Sequence, residues 1–240
     1  MRILLLADIH SNWPALQAVK EPYDACLFLG DLVDYGLEPA PCIDWVRQKA
    51  TYCVRGNHDH GVAQFVTVQG KTGFKYLTGV TRPITQEKIS SADRRFLGTL
   101  PITRMVTLDN TRFFMVHATP RDPLDEYATA DPKFWEQRLR DLQGCVICVG
   151  HTHFPYVLEV GDNLVVNPGS VGQPRDGDPR ASYAIIDSHR VELKRVEYPL
   201  EETIRTLLES SLPDQAKSLM TEVIRSGGLA KSDATRVRVE

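Results

Sequence analysis

Apolar runs and amphipathic stretches alternate through the first part of the chain. RILLLAD (2–8) is apolar until it meets a carboxylate and reads as a buried strand. A helix follows over about 12–20, containing Ala15, Leu16 and Val19. ACLFLGD (25–31) repeats the strand pattern, APCIDWVRQKA (40–50) the helical one, and TYCVRGN (51–57) is a third strand. This order argues for an α/β layered fold with parallel pairing, because parallel neighbours need a crossover long enough to hold a helix.

Residues 61–100 carry no strong strand signal and read as a helical insert, clearest in TQEKISSADRRFLGTL (85–100). The pattern then changes. ITRMVTL and TRFFMVHA flank Asp109-Asn110, a dipeptide suited to a tight hairpin turn. DPKFWEQRLRDLQ (131–143) is a helix with Pro132 in its first turn and Asp131 as its cap. CVICVGHTH (145–153) returns to strand, and YVLEV-GDN-LVVNPG and SYAIID-SH-RVELKRVEY read as hairpins. Residues from about 200 to 240 form a C-terminal helical extension, with stretches near 200–210 and 214–225 before a polar segment expected to fray. No repeat, low-complexity tract or linker interrupts the chain. Residues 1–240 read as one domain of two sheets with flanking helices.

Bulk properties narrow the functional classes. A chain of 240 residues with 42% apolar and 25% charged content can bury one generous core. A formal net charge of −3, without Lys/Arg runs, argues against an extended nucleic-acid surface. The run ILLLA is far too short to span a membrane, and the start of the chain lacks the signature of a secretion signal. Five cysteines (26, 42, 53, 145, 148) without framework spacing imply reduced thiols, and with them a cytoplasmic location. Cys145 and Cys148 lie three apart on one strand, so they point to opposite faces and read as buried thiols, not as a zinc or redox pair.

The chemistry collects at strand ends. The first ends in Asp8-Ile-His10, the second in Gly30-Asp31-Leu-Val-Asp34, the third in Gly56-Asn57-His58-Asp59. FFMVHA ends at His117 and VICVG at His151-Thr-His153. Ligands gather at the carboxyl ends of strands in open α/β sheets. Asp8/His10 and His151/His153 are i, i+2 pairs that an extended backbone would aim to one side. Within CVRGNHDHG (53–61), His58 and His60 offer themselves as a further ligand pair when that stretch is taken alone. Six of the seven histidines lie in or beside these motifs; only His189 falls in a plain turn.

Taken together, D-x-H (8–10), G-D-x-x-D (30–34), G-N-H-D (56–59), a strand-end His117 and G-H-x-H (150–153) resemble the calcineurin-like metallophosphoesterases. NPGSVGQPRD (167–176) is similar to a segment of the compact prokaryotic members, and the resemblance runs over roughly residues 1–190. It implies a four-layer αββα sandwich of two mostly mixed sheets, with two metals at the sheet edges. Residue by residue, it implies Asp8, His10, Asp31 and His153 for one ion, and Asp31, Asn57, His117 and His151 for the other, with Asp31 bridging. Such mixed imidazole and carboxylate ligation suits manganese, iron, zinc, cobalt or nickel better than magnesium or calcium. Manganese is the ion the resemblance implies.

The expected reaction is hydrolysis of a phosphate mono- or diester. Two neighbouring divalent ions hold the phosphate and acidify a bridging water, whose hydroxide attacks phosphorus. His58 protonates the leaving oxygen, with Asp59 orienting its ring. His60 then reads as a loop residue. Asp34 either hydrogen-bonds a ligand histidine or caps the turn that follows it. Arg121, Arg175 and Arg180 lie in polar, Pro-rich loops where they could grip a substrate phosphate or simply be solvated. NPGSVG lacks the spacing and lysine of a Walker loop and reads as a turn past the metals; the aromatics of FFMVHA and FLGTL read as core. The substrate is a small phosphate ester. Nucleotides (cyclic or dinucleoside polyphosphate) and phosphoserine/phosphothreonine proteins are the alternatives, and a silent scaffold module is opposed by the complete ligand set.

Overall fold

The computed structural model describes residues 1–188 and 190–229. His189 and the polar C-terminal segment expected to fray, from residue 230 onward, lie outside the described residues. In chain order the elements are β1 (Arg2–Leu6), α1 (Trp13–Ala18), β2 (Ala25–Phe28), α2 (Pro39–Lys49), β3 (Tyr52–Cys53) and α3 (Asn57–Ala63). Then come α4 (Gly73–Lys88), α5 (Ser91–Thr99), β4 (Thr103–Leu108), β5 (Thr111–Val116), α6 (Pro132–Arg138) and β6 (Cys145–Cys148). The chain continues through β7 (Pro155–Val160), β8 (Asn163–Pro168), β9 (Ala181–Asp187), β10 (Arg190–Val196), α7 (Leu200–Leu208) and α8 (Asp214–Ser226).

The strands form two five-stranded mixed sheets, in the orders β10-β9-β1-β2-β3 and β4-β5-β6-β8-β7. The alternating first part supplies the parallel pairs β1–β2 and β2–β3, as its pattern requires. The three expected hairpins are the antiparallel pairs β4–β5, β7–β8 and β9–β10. Asp109 and Asn110 both take positive φ (50° and 60°) in the first of them, the twist that a tight hairpin turn needs.

Apolar faces on alternate positions explain the layers. Ile3, Leu5, Ala7 and Leu27 meet Phe113, Met115, Cys148 and Val166 in a core between the two sheets. The opposite faces of β1 and β2 present Leu4, Leu6, Cys26 and Phe28 to Leu16, Ile43 and Val46 of α1 and α2. Trp135 of α6 covers Cys145, Ile147 and Val165 on the outer face of the other sheet. The result is the helix–sheet–sheet–helix sandwich. Cys145 and Cys148 fall in different core clusters, on opposite faces of β6, and all five cysteines are free.

The insert and the C-terminal extension share a core. Leu77 of α4 packs with Ile204 and Leu207 of α7 and with Ala216 and Met220 of α8, over Tyr35 and Leu37. This cluster holds α4 beside the loop that follows β2. The third strand is shorter than its apolar pattern predicts, ending at Cys53, and Asn57 opens α3. No helix among the described residues is long and apolar enough to cross a membrane.

Candidate metal centre

The motif residues lie just past the strand ends, in loops that keep pairing with one another. Asp8 N donates to Gly30 O (3.0 Å), His10 N to Asp31 O (3.1 Å) and Ser11 N to Leu32 O (2.9 Å), so the loops after β1 and β2 run side by side. The i, i+2 pairs are not aimed by extended backbone, as their spacing implied. Asp8, His10, Asp31, His151 and His153 have φ of 54°, 47°, 59°, 65° and 61°, the left-handed region. A residue with a Cβ pays about 1–2 kcal/mol to sit there, and such strain gathers where surrounding contacts dictate a functional geometry. Gly56 is demanded by close approach: a Cβ there would overlap the Asp31 carboxylate.

NPGSVG braces the same loops. Ser170 Oγ donates to Asp8 O (2.7 Å), Gly172 N to the same carbonyl (3.0 Å), and Asn167 Nδ2 to Gly150 O (2.8 Å).

Two groups of side chains could each hold a metal ion: Asp8, His10, Asp31 and His153, and Asp31, His117 and His151, all buried. Within each group the ligand atoms lie within 4.8 Å of one another, and Asp31 belongs to both. Asn57 Oδ1 joins the second group, 3.2 Å from His117 Nε2. Backbone carbonyls set the ring tautomers. Nδ1 of His10, His117 and His153 faces Val33 O (2.9 Å), Leu29 O (2.8 Å) and Gln173 O (2.5 Å). A carbonyl only accepts, so each Nδ1 carries a proton and each Nε2 faces the cluster as the nitrogen that would meet a metal, once His117 Nε2 has given up the proton it holds toward Asp31. His151 is turned the other way, with Nε2 facing Asp125 O at 3.3 Å and Nδ1 left over.

This donor set fits a pair of cations. The Nε2 lone pairs of His10 and His153 lie 3.2 Å apart with no hydrogen bond open to them, since both protons are spent on carbonyls. Asp8 Oδ2 is buried without a partner. Burial and the neighbouring Asp31 charge push the Asp8 carboxyl well above its usual range, despite His117. Asp31 is buried too, yet the charges of His117 and His58 hold it well below. Burial opposes a charge on His117, but the Asp31 carboxylate at 3.2 Å overrides it and raises the ring to about 9. Burial lowers the other three rings, His151 to about 3. Divalent ions would take the place of the His117 proton and neutralise the crowded, buried Asp8 and Asp31 carboxylates.

His58 stands beside this cluster, not within it. Its Nδ1 donates to Asp34 Oδ2 at 2.8 Å, and its Nε2 lies 3.9 Å from Asp31 Oδ2. The expected orienting partner, Asp59, is elsewhere: its carboxylate accepts from the backbone N–H of Asp31 (2.9 Å), Leu32 (2.8 Å) and Gly56 (3.0 Å). With three backbone donors around it, Asp59 ties the second loop to α3. Burial and then the Asp31 charge raise it to about 7. Asp34 fills the ring-orienting position that sequence spacing gave to Asp59. Neither expected role for Asp34 matches, since its partners are His58 and the Arg82 guanidinium of α4, at 2.9 and 2.6 Å. His60, expected in a loop, lies in α3 and lines the cleft, outside both ligand groups.

The cluster floors a cleft of about 400 Å³. Of the three loop arginines, Arg175 lines it. Arg121 is largely exposed near Glu126, and Arg180 pairs with Asp178. Sequence reasoning missed Tyr35, Phe74, Arg82 and Tyr127, which also line the cleft. These residues lie outside the strand-end motifs, and only Tyr35, one residue past Asp34, carried a positional hint.

The chain is similar to known proteins in sequence and fold. Residues 1–190 match the calcineurin-like phosphoesterase superfamily domain. An uncharacterized protein of Methanocaldococcus jannaschii is 31% identical, covering 88% of this chain and 94% of its own. The phosphodiesterase YfcE of Escherichia coli K12 is 26% identical over 78% of this chain and 88% of its own. The crystal structure of a metallophosphoesterase from Sphaerobacter thermophilus superposes with a TM-score of 0.78 at 31% identity, covering 95% of this chain and 99% of that one. Fold, ligand groups and relatives agree: the chain belongs to the calcineurin-like phosphoesterase superfamily and is a metal-dependent phosphoesterase.

Proposed function

We propose that the protein hydrolyses small phosphate mono- or diesters at a dinuclear centre, with His58 as the general acid. Asp8, His10, Asp31 and His153 would hold one ion, and Asp31, Asn57, His117 and His151 the other, with manganese the fitting metal. When bound, such a pair supplies Lewis acidity toward phosphate oxygens and lowers the pKa of a water, so that a nucleophile exists near neutral pH. The observation that carries the reading is the position of His58, whose Nε2 lies 3.9 Å from the shared carboxylate at the wall of the cleft.

The chain's own groups divide the remaining work. Asp31 is shared by both ligand groups and takes the backbone N–H of His58 on Oδ1 at 2.9 Å, which ties the acid's position to the metals. Asp34 accepts the Nδ1 proton, fixing the ring so that Nε2 presents a proton to a departing oxygen. Arg82 holds Asp34 from behind. A panel of aryl and alkyl phosphate mono- and diesters, assayed with manganese, tests this reading. Turnover of none of them by protein with two bound metals would refute it.

A further inference from the structure

Arg175 is held in an unusual way. Nη1 donates to the Tyr127 hydroxyl (2.7 Å) and Nη2 to Gln173 Oε1 (2.9 Å), both neutral acceptors. Its guanidinium lies 3.8 Å from the centroid of the Phe74 ring, and its Nε is buried without a partner. Arg82 is paired with Asp34 and Arg138 with Glu126, whereas Arg175 forms no ion pair among the described residues. Half-buried at the cleft and with no carboxylate in contact, the guanidinium is placed to receive an anion. Gln173, two residues before it, gives its carbonyl to His153, so the guanidinium is anchored to the ligand cluster itself.

Tyr127 supplies a second kind of contact. It is 55% exposed, yet its ring packs edge-on to His151 at 4.9 Å between centroids, and its hydroxyl is used by Arg175. The ring is therefore fixed on one side and open on the other. Val66, 45% exposed, lines the same cleft. An exposed aromatic ring beside a guanidinium with no carboxylate in contact suits one ligand chemistry: a phosphate whose oxygens meet the cation and whose attached ring covers the aromatic.

We propose that Arg175 and Tyr127 form a subsite beside the metal centre that selects nucleotide-bearing phosphate esters, with Phe74 keeping the guanidinium in place. Arg175 takes a phosphate oxygen, and the nucleobase lies on the open face of Tyr127. The proposal rests on the reading of the cleft as a phosphoesterase site.

The test uses the manganese-loaded protein and two diesters with the same leaving group, p-nitrophenyl methyl phosphate and the p-nitrophenyl ester of thymidine monophosphate. The wild type is expected to favour the nucleoside ester in kcat/KM by about tenfold or more, the range that base–aromatic stacking supplies. Tyr127→Ala should remove most of that ratio through KM, while Tyr127→Phe, which keeps the ring, should retain it. Arg175→Met should raise KM for both esters, with partial recovery in Arg175→Lys. Calorimetry gives a readout independent of turnover: AMP should bind more tightly than ribose phosphate, and Tyr127→Ala should erase the difference. A wild-type ratio near one, a ratio unmoved by Tyr127→Ala, or equal affinity for AMP and ribose phosphate would overturn the subsite. If neither ester is turned over while AMP still binds more tightly, the phosphoesterase reading fails and the subsite stands.

Discussion

Nδ1 of His58 and the guanidinium of Arg82 meet on a single oxygen, Oδ2 of Asp34, at 2.8, 2.9 and 2.6 Å. His58, the proposed general acid, is thus tied through one carboxylate to α4. His58→Ala should retain both metals and lose rate most steeply on esters of poorly acidic alcohols, by about 10²–10⁴-fold. Activated aryl esters should suffer far less, since their leaving group needs no proton. Equal losses across the series would remove His58 from the acid role.

Arg82 is the remote member of that link. Arg82→Met leaves the fully buried Asp34 carboxylate without its cation, which should destabilise the fold by about 3–5 kcal/mol. Urea denaturation measures this. Where the variant remains folded, kcat should fall with KM nearly unchanged, because the guanidinium acts through Asp34 and His58.

Asp31 is shared by the two ligand groups. Asp31→Asn should lower occupancy at both metal positions, whereas His151→Ala should lower it chiefly at one. Elemental analysis of protein purified without chelator distinguishes the two. Full double occupancy in Asp31→Asn would break the assignment of a bridge.

Asp59 predicts a different phenotype from His58. Its carboxylate collects three backbone donors, and an amide in its place turns an N–H₂ group toward some of them. Asp59→Asn should lower thermal stability and metal retention together, and leave the leaving-group dependence of the remaining activity unchanged.

One carboxylate far from the centre sets a pH dependence. Lys194 first, then Arg2 and Tyr183, hold Glu21 down to about 2 from its ordinary 4.5, against the effect of burial. A carboxyl with a depressed folded pKa stabilises the protein above its unfolded pKa. That contribution fades as pH falls from 4.5 toward 2. Glu21→Gln should flatten the acid side of the stability curve over that window and be neutral in slope at pH above it. Chemical denaturation at stepped pH reads the slope directly.

Side-chain identity and strand periodicity carried much of this protein in its sequence. Buried runs ending in Asp8, Asp31, His117 and His151 marked both the strands and the metal-capable loops. Apolar alternation also placed Cys145 and Cys148 on opposite faces of one strand. These are local properties, because burial on both faces and ligand chemistry are written in consecutive residues. Hydrogen-bond partnership is not. Asp59 adjoins His58 in the chain but turns to backbone donors, while Asp34 reaches the ring from 24 positions away.

Arg82 and Phe74 reach the cleft only because α4 packs with α7 and α8 over Tyr35, a contact no periodicity encodes. The left-handed turns at the ligand residues are likewise invisible in a strand pattern, since only the paired loops and the NPGSVG brace make that conformation worth its strain. Consecutive residues are enough to dictate which chemistry is present and near which strand ends. Tertiary packing decided which groups touch, because hydrogen bonds and ion pairs act over a few ångströms in space irrespective of separation along the chain.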